Sequence, residues 1–186
     1  MANIKVINYE ESNGRLREIY DDIIGSRGKL ADVHKIQSLR PESIVKHMDL
    51  YMEIMFSRSE LTRAEREMIA VVVSAGNKCE YCQIHHAIAL NHYWKDDVKL
   101  DQLKKNYKGV ELDDRKRALC DYANVLTTEP GKANDTDLTN MLKKLDISDS
   151  AILDATLVIS YFNFVNRIVL SLGLDGQAED AKGYNY

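Results

Sequence analysis

The stretch Glu67-Met-Ile-Ala-Val-Val-Val-Ser-Ala-Gly76-Asn77-Lys-Cys79-Glu-Tyr-Cys82-Gln-Ile-His85-His86 decides how this chain reads. A carboxylate heads a run of apolar residues too continuous for a surface helix. The run breaks at Gly76-Asn77, and Cys79-x-x-Cys82 follows, with His86 four residues further on. On a helix, at about 100° per residue, Cys79, Cys82 and His86 fall within an arc of about 60°. Two thiols and an imidazole then share one face, the make-up of a redox site or of half a metal site.

Working outward, Thr62-Arg63-Ala64-Glu65 is a capping box that opens the apolar helix. Its body, Met68 to Val73, is apolar on all sides, so it belongs at the centre of the fold. Gly76-Asn77 ends it, and the cysteine pair starts a second helix that runs to about Asn91. Upstream, Pro41 starts a helix through Phe56 with an apolar stripe of Ile44, Val45, Met48, Tyr51, Met52 and Met55. A short helical piece covers Val33 to Leu39. Glu10 to Ile24 has helical spacing with Gly25 as its stop, and residues 1–8 read as a loosely packed lead-in.

Downstream, helices are expected over Asp96 to Asn106, Asp113 to Leu126, Asp135 to Lys144 and Ala151 to Leu172, the last closed by Gly173. Glu129 to Lys132 is a turn. The polar tail from Asp175 is expected to order only against a neighbour. No strand alternation is present, and the fold class is all-α. One compact multi-helix domain spans 1–186, with its core over about 10–174. Leu61 to Ser74 echoes Ile147 to Ser160 at an offset of 86, which is consistent with an internal helical repeat as well as with chance.

Composition agrees, with 45% apolar residues, 2 Pro and 9 Gly. A net charge of −4 disfavours a nucleic-acid partner. The N-terminus lacks a signal-like apolar segment, and charged residues interrupt the candidate membrane spans, so no membrane role and a cytoplasmic location are expected. Of three cysteines, two form the tight pair. In such a compartment that favours redox or metal chemistry over a disulfide framework.

A thiol near a helix N-terminus loses its proton more easily, and Cys79 and Cys82 occupy the first turn. His86 can exchange a proton with them, and Glu67, folded back by the short turn, can hold His86 in place. Each part also has a plain structural reading. A lone Cys-x-x-Cys pair is often structural, Glu67 can be a solvated charge near a helix start, and Glu65 belongs to the cap. His85, about 100° from His86, reads as a surface or interface residue, and Cys120 as an inert buried thiol. A zinc site from Cys79, Cys82, His86 and Glu67 is chemically possible but lacks a second ligand pair. Asn163, Asn166 and Arg167 share one side of the last helix, as a satisfied polar cluster or subunit contact, or as a lining of the redox pocket.

The joint spacing of Glu67, Cys79, Cys82 and His86 resembles the signature of the alkylhydroperoxidase D family, within the carboxymuconolactone decarboxylase-like superfamily. Leu61 to Glu67, Cys79-Glu80-Tyr81-Cys82 with His85-His86, and Tyr161-Phe162-Asn163 with Asn166-Arg167 are similar to its peroxidase-related branch. The likeness spans about Leu16 to Leu174. It implies an all-helical fold, homo-oligomers (trimers or hexamers), and cofactor-free reduction of a hydroperoxide by cysteine. Cys82 would be the peroxidatic thiol and Cys79 the resolving one, with Glu67 and His86 as proton relay and an external dithiol or protein as reductant. One position departs from the pattern: Tyr81 stands where well-studied members carry a histidine of the relay, and a phenol is a poorer base at neutral pH. Either another group completes the relay or the activity differs. The pocket is expected to be small and largely apolar, lined by Ile, Val, Leu and Met. The rival readings are a thiol-disulfide oxidoreductase and a non-catalytic redox-responsive oligomer; a decarboxylase role is disfavoured because it does not depend on this cysteine pair.

Overall fold

The computed structural model describes residues 2–134 and 136–176, together with Gly183. Its helices are α1 (Gly14–Arg27), α2 (Asp32–Lys35), α3 (Pro41–Phe56), α4 (Arg63–Gly76), α5 (Glu80–Trp94), α6 (Asp97–Asn106), α7 (Asp114–Thr128), α8 (Thr136–Lys144) and α9 (Asp149–Leu172). No strand occurs among the described residues.

The capping box forms as the sequence predicts. The Glu65 backbone N–H donates to Thr62 Oγ1 at 3.2 Å, and the Thr62 N–H donates to the Glu65 carboxylate at 2.8 Å. From Glu65 to Ser74 every residue of α4 is buried. Helices α5, α7 and α9 surround α4, with α3 and α6 completing the shell. Burying each of Met68, Ile69 and Val71 to Val73 contributes about 1.5–3 kcal/mol. A second, smaller cluster joins α1 to α3 through Leu16, Ile19, Tyr20, Ile23 and Ile44.

The turn between α4 and α5 is built to a tight specification. The Cys79 N–H donates to Ser74 O at 2.9 Å, while Lys78 adopts a left-handed backbone with φ of 57°. A Cβ on Gly76 would meet the methyl groups of Thr127 and Thr128 at 3.3 Å, so α7 approaches there because no side chain intervenes. Across the turn, Asn77 Nδ2 donates to Asn163 Oδ1 at 2.9 Å and to Asn166 Oδ1 at 3.0 Å. Arg167 Nη1 donates to Asn163 Oδ1 at 2.8 Å, and Asn166 Nδ2 to Ser74 Oγ at 3.3 Å. This polar clamp locks the start of α5 to α9.

Several expectations need correction. Helix α1 runs through Gly25 and stops at Gly28, whose φ of 78° is the left-handed C-cap. The lead-in is held rather than loose: the Asn3 N–H donates to Leu172 O at 2.8 Å and Tyr20 Oη to Ile7 O at 2.9 Å. Helix α9 is long and apolar enough by length and composition to cross a membrane, because Arg167 is the single charge from Ala155 to Leu172. Its inward face is nevertheless packed against α4 and α7. The expected helix start at Asp135 and the tail beyond Gly176, apart from Gly183, lie outside the described residues.

If α4 is the organising helix, truncation at its centre should outweigh loss of its cap. Urea unfolding should show Ile69→Ala destabilised by about 2–5 kcal/mol and Thr62→Ala by about 1 kcal/mol.

Candidate active site at the head of the fifth helix

Cys79 is the N-cap of α5 and Cys82 lies in its first turn; both are buried and unpaired as free thiols. They are not equivalent. Cys82 lines a cavity of about 90 Å³, and Cys79 does not. The walls of that cavity come from α2 (His34), α3 (His47, Tyr51), α5 (Tyr81, His85, His86) and α9 (Tyr161, Phe162, Val165). The cavity is small and largely apolar as expected, but beside Ala31, Val33, Met48 and Val165 most of its lining is tyrosine, histidine and phenylalanine, because one turn of α5 and one of α9 both turn aromatic faces inward.

Glu67 is fully buried beside this cavity. His86 Nδ1 donates to its Oε2 at 2.7 Å, while Arg63 Nε and Nη2 donate to Oε1 at 2.9 and 2.5 Å. Arg63 also donates to Met55 O at 2.9 Å and to Tyr51 Oη at 3.3 Å, and it stacks 3.7 Å above the Phe56 ring. Burial opposes the charge on Glu67, but His86 and Arg63 outweigh it and hold the carboxyl below its ordinary range. Because Nδ1 of His86 carries the donated proton, Nε2 is left as the basic nitrogen of the neutral ring. The Phe162 ring, 4.4 Å away between centroids, braces the imidazole edge-on.

The two thiols are hydrogen-bonded to each other, and the bond acts on them in opposite senses. The Cys82 thiol and backbone N–H favour a thiolate at Cys79, against the opposite push of burial. Cys82 is correspondingly raised, by its contact with Cys79 and by its own burial, while Asn166 works in favour of its charged form. Asn166 thus does more than clamp helices: its amide bears on the cavity-facing sulfur.

The four residues singled out from spacing, Glu67, Cys79, Cys82 and His86, are brought together. Glu65 stays with the cap and pairs with Arg115 Nε at 2.9 Å. Cys120 is buried in α7, and burial pushes its thiol up to about 12. His85 is a correction: it lines the cavity, stacks on Tyr81 with centroids 4.1 Å apart, and donates from Nδ1 to Tyr81 O at 2.9 Å. Tyr81 itself is committed elsewhere, since its hydroxyl accepts the Val33 N–H at 3.3 Å. Among the described residues no group of three or more His, Cys, Asp or Glu is arranged to hold a metal ion. His34, His47 and Arg63 were not singled out from the sequence. Arg63 was visible as the residue one turn before Glu67, whereas His47 sits where an apolar stripe residue would.

Comparison with known proteins finds a family match and a shared fold. Residues 44–93 match the carboxymuconolactone decarboxylase family. No curated protein matches the chain. A peroxidase-related protein from Silicibacter sp. TM1040, described as uncharacterized, is 26% identical with a TM-score of 0.83 over 98% of each chain. An alkylhydroperoxidase AhpD core protein from Ralstonia eutropha JMP134, described as peroxidase-related, is 24% identical with a TM-score of 0.86 over 97% of this chain and 94% of that one. The debrominase Bmp8 shares the fold at 16% identity and a TM-score of 0.78, over 96% of this chain and 94% of its own. The segment that carries the cysteine pair thus matches the carboxymuconolactone decarboxylase family, and the whole chain shares the fold of alkylhydroperoxidase AhpD-like structures.

Proposed function

We propose that this protein reduces small hydroperoxides with Cys82 as the attacking sulfur and Cys79 as the resolving one. One observation carries the reading: Cys82, of the two thiols, opens onto the cavity, beside an imidazole held by a buried carboxylate. The peroxidase-related descriptions of the similar structures agree with it.

To react, the pair gives up one of its two protons and keeps the other. When that proton passes to Cys79, the Cys82 thiolate attacks the terminal oxygen of R–O–O–H, the O–O bond breaks, and Cys82 becomes a sulfenic acid while R–O⁻ takes up a proton and leaves. The Cys79 thiol then gives its proton to His86 Nε2 and attacks the Cys82 sulfur. Hydroxide departs with that proton as water, and a Cys79–Cys82 disulfide remains. An external dithiol restores the pair by exchange. A cavity of about 90 Å³ is smaller than the engineered cavities of about 150 Å³ that admit benzene. Hydrogen peroxide and short alkyl hydroperoxides therefore fit better than aromatic ones.

A second reading has its own observation. Cys79, the first sulfur of the pair, is the one whose thiolate is favoured, which suits attack on a disulfide. Comparing rates on ethyl hydroperoxide and on a small disulfide separates the two.

Cys82→Ser should abolish turnover of ethyl hydroperoxide with a dithiol donor, while Cys79→Ser should permit one oxidation, seen by mass spectrometry as a sulfenic acid on Cys82. Turnover by both variants at the wild-type rate would remove the thiol mechanism.

Glu67 supplies a pH test. Its folded carboxyl lies below the ordinary 4.5, so its contribution to stability is complete above that value and is lost as pH falls through the lower folded one. Glu67→Gln should cost about 3–5 kcal/mol at neutral pH by leaving Arg63 buried without its counterion. The variant's urea midpoint should also fall less steeply between neutral pH and the acid limb than that of the wild type.

A further inference from the structure

Three aromatic hydroxyls line the cavity and each accepts a hydrogen bond, but only Tyr161 accepts it from an imidazole of the cavity wall and lies close enough to Cys82 to interact with it. Tyr81 Oη accepts from the Val33 N–H at 3.3 Å, and Tyr51 Oη from Arg63 Nη2 at 3.3 Å. Tyr161 Oη lies 2.6 Å from His47 Nε2, a buried contact joining α9 to α3 across 114 residues. The direction of that bond follows from Gln37. Its Nε2 lies 2.7 Å from Val33 O, which only an N–H can satisfy, so the same amide nitrogen is what faces His47 Nδ1 at 2.9 Å. Nδ1 therefore accepts, the ring proton sits on Nε2, and His47 donates to Tyr161 Oη. Burial keeps that ring neutral by lowering His47 to about 4. The Tyr161 hydroxyl, its lone pair taken by His47, has its own proton left for what enters the cavity.

We propose that Tyr161 is a catalytic residue of the peroxide-reducing step, giving its proton to the leaving alkoxide, with His47 as the positioning residue that orients the hydroxyl and stabilises its phenolate. The proposal rests on the thiol peroxidase reading above and answers the absence of a histidine between the two cysteines. The two groups occupy the cavity that Cys82 lines, and Tyr161 is close enough to Cys82 for the two to interact electrostatically. Burial, then Tyr51, then Cys82 raise the Tyr161 phenol well above its ordinary value, which keeps the donor loaded at neutral pH.

The chemistry balances. The Cys82 sulfur bonds to the terminal oxygen of R–O–O–H and keeps its hydrogen as S–O–H, and the O–O bond breaks. The oxygen left on R, as basic as hydroxide (water pKa roughly 15.7), takes the phenolic proton, and R–O–H leaves. An ordinary phenol, at about 10, is a far stronger acid than the alcohol so formed, a margin that the raised value of Tyr161 narrows. The phenolate, held by the His47 N–H, regains a proton from solvent, matching the one released when the cysteine pair first ionised.

A leaving group that needs no proton provides the test. A peracid expels a carboxylate (pKa about 4), so loss of the acid should spare it. Single-turnover loss of thiols would be followed for wild type, Tyr161→Phe and His47→Phe with ethyl hydroperoxide and with peracetic acid. Tyr161→Phe should slow the hydroperoxide reaction about 100-fold and the peracid reaction less than about threefold, and His47→Phe should move the ratio the same way by about tenfold. Equal slowing of both oxidants, or no slowing, would overturn the assignment of Tyr161. A ratio moved by Tyr161→Phe but not by His47→Phe would overturn the part given to His47. If wild type loses no thiols to either oxidant, the peroxidase reading itself falls; if wild type reacts with both and neither variant moves the ratio, only this inference does.

Discussion

A carboxylate with no access to water cannot stand without a counterion and hydrogen-bond donors around it, and that requirement at Glu67 governs the arrangement of the site. The desolvation cost of such a group is several kcal/mol even after relaxation. Arg63, one turn earlier on α4, and His86, on α5, meet it with three hydrogen bonds between them. The consequences run in both directions. Arg63 is drawn in and takes Met55 O and Tyr51 Oη with it, which docks the end of α3. His86 is fixed in tautomer and angle, which sets the register of α5 against α4 and so the position of Cys82 one turn before it. The ion pair that ties α4 together and the contact that orients the imidazole beside Cys82 share the Glu67 carboxylate.

The opposite wall is assembled on different principles. On the α5 side the spacing is local, set by one helical hairpin and its strained turn at Lys78. On the facing side His47 and Tyr161 come from helices that meet only through the tertiary fold, and they are oriented by a chain of hydrogen bonds that ends on the Val33 carbonyl. The clamp of Asn77, Asn163 and Asn166 joins the two sides near the sulfurs. A shift of α9 would thus be felt at Cys82 through Asn166 as well as at Tyr161.

That division explains what could be read from the chain alone. Glu67, Cys79, Cys82 and His86 lie within one hairpin, so residue spacing with helical geometry suffices to predict their meeting. Helix α3 was legible from Pro41 to Phe56 because proline marks a first turn unambiguously. Gly25 misled because a glycine inside a helix costs only about 1 kcal/mol, and the true stop is the one with positive φ, at Gly28. His85 misled because a 100° offset on a helix implies exposure only if a single neighbour covers that helix; here the cavity wraps around two sides of it. His47 was hidden because nothing in a helical stripe distinguishes a buried imidazole from its apolar neighbours until the partner 114 residues away is in place. Asn166 was visible as part of a polar cluster, but its reach to sulfur depends on how α9 crosses α5.

Two adjacent thiols that interact also behave differently from one. Loss of the first proton is eased by the neighbour that shares the remaining one, and loss of the second is opposed by the charge already present. Between those two events the pair carries a constant single negative charge. Within that interval what changes is which of the two sulfurs carries the charge, and the surroundings of each, not its own chemistry, decide that.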